Sequence, residues 1–357
     1  MKHTYKVLGV LILLYSFTAG MLVPLSPGIQ QATPTSIRTN QTVDIAVTGY
    51  NTYYESGAES LRAWLKLNNE LALAAEEVMV DSETAATLRF QIPAYLPSRE
   101  RVQEMALVMD NAVDGASVLP NAVFVTQDSI NPAEGEKVWQ NSSIESLHDR
   151  AGMTFPFRNI LGESIRNTYF HVSLWFAMIF MLGAAVWQSV AYLRKKSFER
   201  DNKAVSFTQV GVLFGILGVA TGAVWANYTW GAPWSWDIKQ NTTAVALLIY
   251  FAYFILRNSF DDQEQKARIA AVYSIFAFVS MILLLYVIPR LSDSSLHPGN
   301  GGNPAFGGED LDNTMRMIFY PAIIGWTLFG TWLANVIIRA KRLEEQQMET
   351  LEMELEA

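Results

Sequence analysis

Six long apolar runs constrain this sequence more than any other feature. They cover residues 7–25, 167–193, 207–226, 241–257, 269–289 and 317–338. A helix needs about 20 residues to cross the apolar part of a bilayer. The hydrophobic fraction of 50% and the positive mean hydropathy are also typical of membrane proteins. The sequence therefore predicts an α-helical integral membrane protein with six transmembrane helices.

Basic residues near the ends of these runs predict the orientation, because they concentrate on the cytoplasmic side of membrane proteins. They form four clusters. Lys2 and Lys6 precede the first run, and Arg194, Lys195, Lys196, Arg200 and Lys203 lie between the second and third. Lys266 and Arg268 precede the fifth run, and Arg339, Lys341 and Arg342 follow the sixth. All clusters fall on one side if both termini are cytoplasmic. We expect a bacterial inner-membrane protein with this topology, embedded in membrane lipid.

The first run has two interpretations. Its basic start, apolar middle and the small residues in 16–20 also fit a cleaved signal peptide. The apolar run continues through Val23, which favours a retained anchor. Both interpretations place the next segment outside the cytoplasm.

The predicted domains follow from these boundaries. They are a first transmembrane helix at 1–25, an inserted periplasmic β-rich domain at 26–160, a five-helix membrane domain at 161–340 and an acidic cytoplasmic tail at 341–357. The tail reads as a solvated helical face.

Residues 26–160 alternate between polar and apolar side chains over short stretches. Residues 43–47, 87–92 and 122–126 are candidate strands, and 64–73 reads as a hairpin around Asn68 and Asn69. Several short strands at this spacing predict an extracytoplasmic β-sandwich of the immunoglobulin-like type. A helix over 61–80 is the alternative, because that stretch is rich in alanine, leucine and glutamate. We find no histidine–carboxylate cluster in the pattern, which favours binding over catalysis.

The composition excludes several kinds of function. There is no cysteine, so disulfides, thiolate nucleophiles and cysteine metal sites are ruled out. The net charge of −8 argues against a nucleic-acid partner. No Walker A sequence is present, so the chain is not expected to hydrolyse ATP itself.

Four of the ten tryptophans lie in 225-WANYTWGAPWSWD-237. The predicted topology places this segment at the same membrane face as His171, which opens the second run, and His297, which lies between the fifth and sixth. Each feature alone has an ordinary explanation. The tryptophans would form an interfacial aromatic belt, His171 would be an interfacial polar residue and His297 would be a solvated loop residue. Their joint occurrence favours a site.

The site suits a flat, apolar, metal-bearing ligand. Two neutral imidazoles can take the axial positions of haem without any cysteine. Indole rings offer a flat apolar surface, and Gly231 permits close approach. Nearby cations suit the propionates. The candidate ligand-binding residues are Trp225, Trp230, Gly231, Trp234, Trp236, Asp237, Arg166 and Lys239, with Arg290 and Arg316 as further cations.

The segment 221-TGAVWANYTWGAPWSWDIK-239 resembles the tryptophan-rich WWD signature of haem-handling proteins in cytochrome c maturation. Within that superfamily the chain is most similar to the CcmC family. The stretches 166-RNTYFHV-172, 296-LHPG-299 and 315-MRMIFYPAII-324 resemble its entry into the second span, its second histidine loop and the start of its last span. The resemblance covers residues 160–340 and the first span.

This resemblance implies that His171 and His297 are the axial ligands of non-covalently and transiently held haem b. It implies that the WWD segment holds the porphyrin and presents its edge to a CcmE-like haem chaperone. It also implies a CcmA/CcmB-like ABC transporter and a CcmD-like small membrane subunit as partners. The chain would be a delivery platform and not an enzyme.

The sequence departs from the family at three places. Lys239 replaces a usual arginine, and Ser173 replaces a usual proline after His171. The family joins its first two spans by a short loop, so residues 26–160 look inserted and their role is not implied by the resemblance.

Three alternatives stay open. A CcsA-like haem exporter and cytochrome c synthetase component would have more spans and further histidines within the membrane. A transporter of another solute would carry ionisable residues in its spans, and these runs are nearly free of them. A membrane-anchored interaction protein would act through residues 26–160, and its two histidines would be dispensable.

The third run contains Gly211, Gly215, Gly218 and Gly222, which give two small-xxx-small pairs. Such spacing lets two membrane helices approach closely. We therefore expect this helix to pack tightly and to support the WWD segment.

Overall fold

The structure is a computed structural model that describes residues 4–68, 70–139, 144, 146–150, 152–292, 295–297 and 311–356. The chain forms two compact units. One contains Met1–Leu22 and Ser164–Ala357, and the other contains Val23–Glu163. The second unit is thus inserted in sequence after the first helix.

Within the described residues the α-helices are α1 (Thr4–Leu22), α2 (Pro132–Val138), α3 (Ser173–Arg194), α4 (Phe198–Trp230), α5 (Ile238–Asn258), α6 (Gln263–Ile282) and α7 (Asn313–Glu356). Short 3₁₀ and π turns extend two of them: Gly162–Arg166 and Thr168–Val172 precede α3, and Leu283–Val287 and Ile288–Leu291 follow α6.

In the part of the chain that the structure describes, five helical segments are long and apolar enough to cross a membrane: Thr4–Leu22, Gly162–Arg194, Phe198–Trp230, Gln263–Leu291 and Asn313–Met348. They support a multi-pass membrane protein. The predicted fourth span, 241–257, forms α5 but does not reach this standard, because its first turns are polar through Lys239, Asn241 and Thr242. The sixth span therefore stays a prediction.

The glycines of α4 receive side chains of α3, as their spacing predicts. A Cβ added at Gly211 would lie 2.6 Å from Leu182, and one at Gly218 would lie 2.7 Å from Trp175. A Cβ added at Gly215 would lie 3.1 Å from the sulfur of Met178. The side chains of α3 thus lie directly on the backbone of α4, which fixes the register of the two helices.

An ion pair joins α4 to α5 at the end opposite the tryptophan segment. Both guanidinium nitrogens of Arg257 donate to the carboxylate of Asp201, the first bond at 2.7 Å. Both side chains are more than nine-tenths buried. The bidentate geometry compensates the two charges where water is scarce.

The last turns of α7 contain the acidic tail. Helix α7 continues to Glu356, and Leu343 to Met348 are all exposed. The prediction of a solvated helical face is confirmed for these residues.

The inserted unit contains nine strands in its described residues: β1 (Gly28–Thr33), β2 (Ser36–Arg38), β3 (Gln41–Tyr50), β4 (Arg62–Lys66), β5 (Ala72–Ala74), β6 (Glu77–Ser82), β7 (Ala85–Ile92), β8 (Val102–Asn111) and β9 (Gly115–Thr126). They form a four-stranded sheet of order β1-β3-β7-β6 and a five-stranded sheet of order β2-β9-β8-β4-β5. Neighbouring strands are antiparallel except β2 and β9.

Apolar residues of both sheets share one core, which makes the unit a two-layer β structure. Its most buried members include Ile45, Leu88, Phe90, Leu65, Leu107 and Val123. The three predicted strands lie within β3, β7 and β9, so those predictions are confirmed.

The region 61–80 is not helical. Strands β4 and β5 pair antiparallel with Lys66 opposite Ala72, which confirms the hairpin. The side chain of Asn68 closes the turn by accepting from the N–H of Leu71 at 2.9 Å. Asn69 lies outside the described residues. Strand β4 is buried on both faces, with Ala63 and Leu65 in the shared core and Trp64 in a second apolar cluster. This burial overrides the helical preference of the alanines and leucines that follow.

The expectation that this unit lacks a histidine–carboxylate cluster is wrong. Nδ1 of His148 lies 2.9 Å from Oδ2 of Asp110, whose side chain is fully buried. Arg62 donates to the same carboxylate and lies over the Trp64 ring at 5.2 Å. Asp110 lies 38 residues from His148 and 48 from Arg62 in sequence, so no local pattern revealed their contact. The cluster fastens the segment around His148 to the outer face of the sheet.

Candidate functional site

His171 lies in the π turn that leads into α3, and its ring packs on α4. A Cβ added at Gly222 would lie 2.7 Å from the His171 ring, so only glycine leaves room for it. Nδ1 of His171 lies 3.0 Å from the hydroxyl of Thr221, and Nε2 accepts a hydrogen bond from the indole N–H of Trp175 at 3.2 Å. One turn of α4 and Trp175 of α3 therefore position the imidazole.

Asp237 organises the segment around His297. Its Oδ1 lies 2.8 Å from Nδ1 of His297, and its Oδ2 accepts from the N–H of Leu296 at 2.8 Å and from the hydroxyl of Ser295 at 3.0 Å. The same carboxylate caps α5 by accepting from the N–H of Lys239 at 2.8 Å. One buried side chain thus joins the start of α5 to the loop that carries His297.

The electrostatics keep this pair as carboxylate and neutral imidazole. Burial acts to raise the pKa of Asp237, but hydrogen bonds from the Leu296 and Lys239 backbone outweigh it, and the pKa lies below the usual value. Burial lowers the pKa of His297 to about 4, and the nearby charge of Lys239 acts in the same direction. A neutral imidazole is the form that binds metals.

Two tryptophans of α4 surround His297. The ring of Trp230 lies 4.8 Å from the imidazole and that of Trp225 lies 6.3 Å from it, both measured between centroids. The two indoles contact each other edge to face at 5.1 Å. Trp225 is held by a hydrogen bond from its Nε1 to Ser164 at 3.2 Å.

The tryptophan segment is only partly a loop. Trp225 and Trp230 belong to the last turns of α4, which ends at Gly231 with a φ of +78°. The loop proper runs from 231 to 237. The prediction placed the whole segment at a boundary without recognising this helix end, although a left-handed glycine after a helix is a common stop.

Trp236 is the most unusual residue of this loop. Its φ of +59° lies in the left-handed region, which bulky side chains rarely adopt, and its side chain is 78% exposed. Its carbonyl accepts from Asn241 at 2.7 Å, and its ring contacts Trp234 at 6.4 Å. The fold therefore holds a large apolar ring outward at the cost of backbone strain.

The candidate cations lie in different surroundings. Nη1 of Arg166 donates to the carbonyl of Gly20 in α1 at 2.8 Å. Lys239 is close enough to interact electrostatically with both Asp237 and Arg290. Arg316 donates to Asn313 at 3.1 Å. Lys239 thus lies near Asp237 and His297, and Arg290 lies near Lys239.

The structure brings both histidines to one end of the helical unit. His171 contacts α4 at Gly222, and His297 contacts the same helix at Trp225 and Trp230. The two rings are close enough that a charge on one would be felt at the other. The arrangement offers two imidazoles and an apolar indole surface along one helix end, which suits a planar ligand with a metal centre.

Three residues that contact the histidines or Asp237 were not predicted from the sequence: Trp175, Thr221 and Ser295. Trp175 follows His171 by four residues, so helical spacing places it on the same face and could have identified it. Thr221 and Ser295 act through contacts between distant segments, for which the sequence holds no local signal.

A model of the CcmC family, described as Heme exporter protein C, matches residues 151–353. This is more than half of the chain. The protein belongs to the Heme exporter protein C family. The match confirms the resemblance to CcmC, and most of the inserted unit lies outside it.

Two individual relatives carry the same family name, and a third is a cytochrome c biogenesis protein of another name. Heme exporter protein C of Bradyrhizobium diazoefficiens is 25% identical over 202 residues, which cover 54% of this chain and 74% of the relative. Heme exporter protein C of Escherichia coli (strain K12) is 24% identical over 186 residues, or 51% of this chain and 70% of the relative. Cytochrome c biogenesis protein CcsA of Prochlorococcus marinus is 36% identical over 102 residues. The chain spans only 31% of that relative's length.

Proposed function

We propose that this CcmC-like protein binds haem b non-covalently as its cargo and presents it to a CcmE-like chaperone during c-type cytochrome maturation. The observation that carries the proposal is the His297–Asp237 pair beside Trp225 and Trp230, at the same helix end as His171. It serves as a delivery platform, and any chemistry of covalent haem attachment is shared with the chaperone.

The donor set fits haem. Haem supplies an iron that binds one imidazole on each face. The hydrogen bond at Nδ1 of His297 leaves Nε2 as the ligating nitrogen, and a carboxylate behind a ligating histidine is a common way to fix its tautomer. The indoles of Trp225 and Trp230 give the apolar surface that a macrocycle needs.

The two propionate groups of haem are negatively charged and need cationic side chains as partners. Lys239 lies near Arg290 and beside Asp237, whose carboxylate already accepts from His297 and the Leu296 backbone. Lys239, Arg290 and Arg166 are the proposed propionate partners. Lys239 would act as a point charge, because it lacks the fork of an arginine.

The strained and exposed Trp236, with Trp234 beside it, is the proposed contact surface for the chaperone. Large apolar rings held at the surface mark interaction sites. A CcmA/CcmB-like ABC transporter and a CcmD-like small subunit are the further proposed partners, on the strength of family membership. No nucleic-acid partner is proposed.

We propose the bacterial inner membrane as the location, with six spans, both termini in the cytoplasm and the inserted unit in the periplasm. The helix ends support this orientation. Basic residues follow α3 and precede α6. At the other ends of these helices, His171 precedes α3 and His297 follows the turns after α6, and the tryptophan loop joins α4 to α5.

We propose that the inserted unit is an immunoglobulin-like docking domain. Its sheet orders, β1-β3-β7-β6 and β2-β9-β8-β4-β5, match the A-B-E-D and G-F-C layers of that fold when the strands are named in chain order. The strand β5 then corresponds to C′ of the variable type.

A transfer assay tests the proposal. The protein is loaded with haem, mixed with a CcmE-like chaperone, and haem on the chaperone is measured over time. Trp236→Ala should slow transfer, while Trp187→Ala, which removes a tryptophan that is 68% exposed on α3, should not. Failure of the parent to transfer haem, or equal rates for the two variants, would contradict the proposal.

A second candidate is a CcsA-like exporter and synthetase component, which the 36% identity over 102 residues favours. It differs in requiring further histidines within the membrane, and the chain has only His3, His148, His171 and His297. Covalent attachment of haem to an apocytochrome by this protein without a chaperone would support it.

A further inference from the structure

Both ring nitrogens of His171 are engaged within the chain. The hydroxyl of Thr221 donates its one hydrogen to the helix backbone, at 2.9 Å from the carbonyl of Leu217. It can therefore only accept from Nδ1 of His171 at 3.0 Å, so Nδ1 carries the proton. Nε2 then has a free lone pair, and the indole N–H of Trp175 donates to it at 3.2 Å.

The packing fixes both rings in this arrangement. Trp175 meets His171 edge to face at 81°, one helical turn further along. The indole lies against Gly218 and the imidazole against Gly222, so each ring rests on bare backbone of α4. The hydrogen bond between them is thus built into the contact of α3 with α4.

His297 differs in this respect. Its Nδ1 is bound to Asp237, while among the described residues no hydrogen bond reaches its Nε2. The two candidate ligands therefore differ in the described residues: an indole N–H covers Nε2 of His171, and no described residue does so at His297.

We propose that Trp175 is a gate on His171: its N–H occupies the Nε2 lone pair, and a metal-bearing ligand binds His171 only by displacing it. This rests on the proposed haem-binding function. His171 would hold the metal in exchange for the hydrogen bond from Trp175, whereas His297 would hold it without displacing a bond to any described residue. On release the indole takes Nε2 back, which lowers the cost of giving up the cargo and keeps binding transient.

The first test uses cargo-free protein and does not depend on haem. Diethyl pyrocarbonate acylates the unprotonated nitrogen of an imidazole, and mass spectrometry of the His171 peptide measures its rate. Trp175→Phe keeps an aromatic ring on Gly218 but removes the N–H. We expect it to raise labelling of His171 about fivefold, the factor that corresponds to one ordinary hydrogen bond. Trp187→Phe on the same helix is the matched control, and His297 labelling is the internal reference.

The second test is a haem titration of the same variants. Trp175→Phe should lower the dissociation constant about fivefold, because the hydrogen bond no longer competes with the metal. Thr221→Val should act in the opposite direction, because it removes the acceptor that holds the proton on Nδ1. General damage to the packing would instead move both variants the same way.

The outcomes separate this proposal from the proposed function. Unchanged labelling of His171 in Trp175→Phe, or weaker haem binding by that variant, would overturn the gate. A parent protein that binds no haem would overturn the proposed function, while the labelling rates would still decide whether Trp175 covers Nε2.

Discussion

Nδ1 of His297 donates to Oδ1 of Asp237 at 2.8 Å, while the other oxygen of that carboxylate accepts from the backbone N–H of Leu296. The aspartate that ends the tryptophan segment is therefore a positioning residue for a histidine 60 positions away. It orients the imidazole and holds it as the Nδ1–H tautomer, with Nε2 available to a metal.

Asp237→Asn should weaken haem binding about tenfold, the usual effect of losing a carboxylate behind a ligating histidine. Asparagine still caps α5, so the helix should remain intact. Equilibrium titration of haem measures the change. Asp262→Asn is the control, because Asp262 caps α6 in the same way, by accepting from Gln265 at 2.6 Å, far from the histidines in sequence. Equal affinities for the two variants would contradict the role given to Asp237.

Gly222→Ala should displace the His171 ring and reduce haem binding. Its Cβ would lie 2.7 Å from that ring, and such overpacking costs about 1–3 kcal/mol. Gly183→Ala is the matched control on α3, because its Cβ would meet only Phe278 at 3.8 Å. Haem affinity and the temperature of thermal unfolding should both fall in Gly222→Ala and stay unchanged in Gly183→Ala. A Gly222→Ala protein with parental affinity would show that His171 is not held as described.

Asp201→Asn should destabilise the helical unit by about 3 kcal/mol, because it leaves the buried guanidinium of Arg257 without its counter-charge. Thermal unfolding followed by circular dichroism measures the loss. Glu199→Gln removes an exposed pair with Lys203 on the same helix, so its effect should stay below about 1 kcal/mol. Comparable losses in the two variants would be inconsistent with a buried ion pair.

The inserted unit should lose stability in acid through Asp110. Burial acts to raise the pKa of this carboxyl, but hydrogen bonds from Arg62 and from His148 outweigh it and hold the pKa below 3.8. A lowered pKa means that the folded form favours the carboxylate. The stabilisation is therefore complete above pH 3.8 and is lost as the pH falls through the lowered value.

Hydrogen exchange of strand β8 amides in the full chain measures this effect between neutral pH and pH 3. Protection should fall over this range in the parent and change less in Asp110→Asn. Asp81→Asn, at an exposed position of the same unit, is the control. Identical pH dependence in parent and Asp110→Asn would contradict the assignment.

The elements that follow from local periodicity were predictable. The apolar runs marked the membrane helices, the alternation around Ile45 marked β3, and the glycines of α4 marked its contact with α3. Patterns of this kind involve residues that are close in sequence, so they can be recognised without knowledge of the fold.

The contacts that complete the site were not predictable in the same way. The predicted topology placed His171, His297 and the tryptophan segment at one level of the membrane. It did not predict the hydrogen bond between Asp237 and His297 or the one from Trp175 to His171. Those bonds depend on the register of α3 on α4 and on the path of the loop before α7. The weak hydropathy of α5 has a local cause, the polar first turns that follow Asp237.

The absorption spectrum of the purified protein, with His171→Ala and His297→Ala beside it, tests the central claim most directly. The protein is expressed in cells with an intact haem supply, and the Soret and visible bands are recorded in both oxidation states. The account predicts a low-spin bis-imidazole spectrum in the parent that is lost or changed in each variant. A parent without haem, or a spectrum that neither substitution alters, would contradict it.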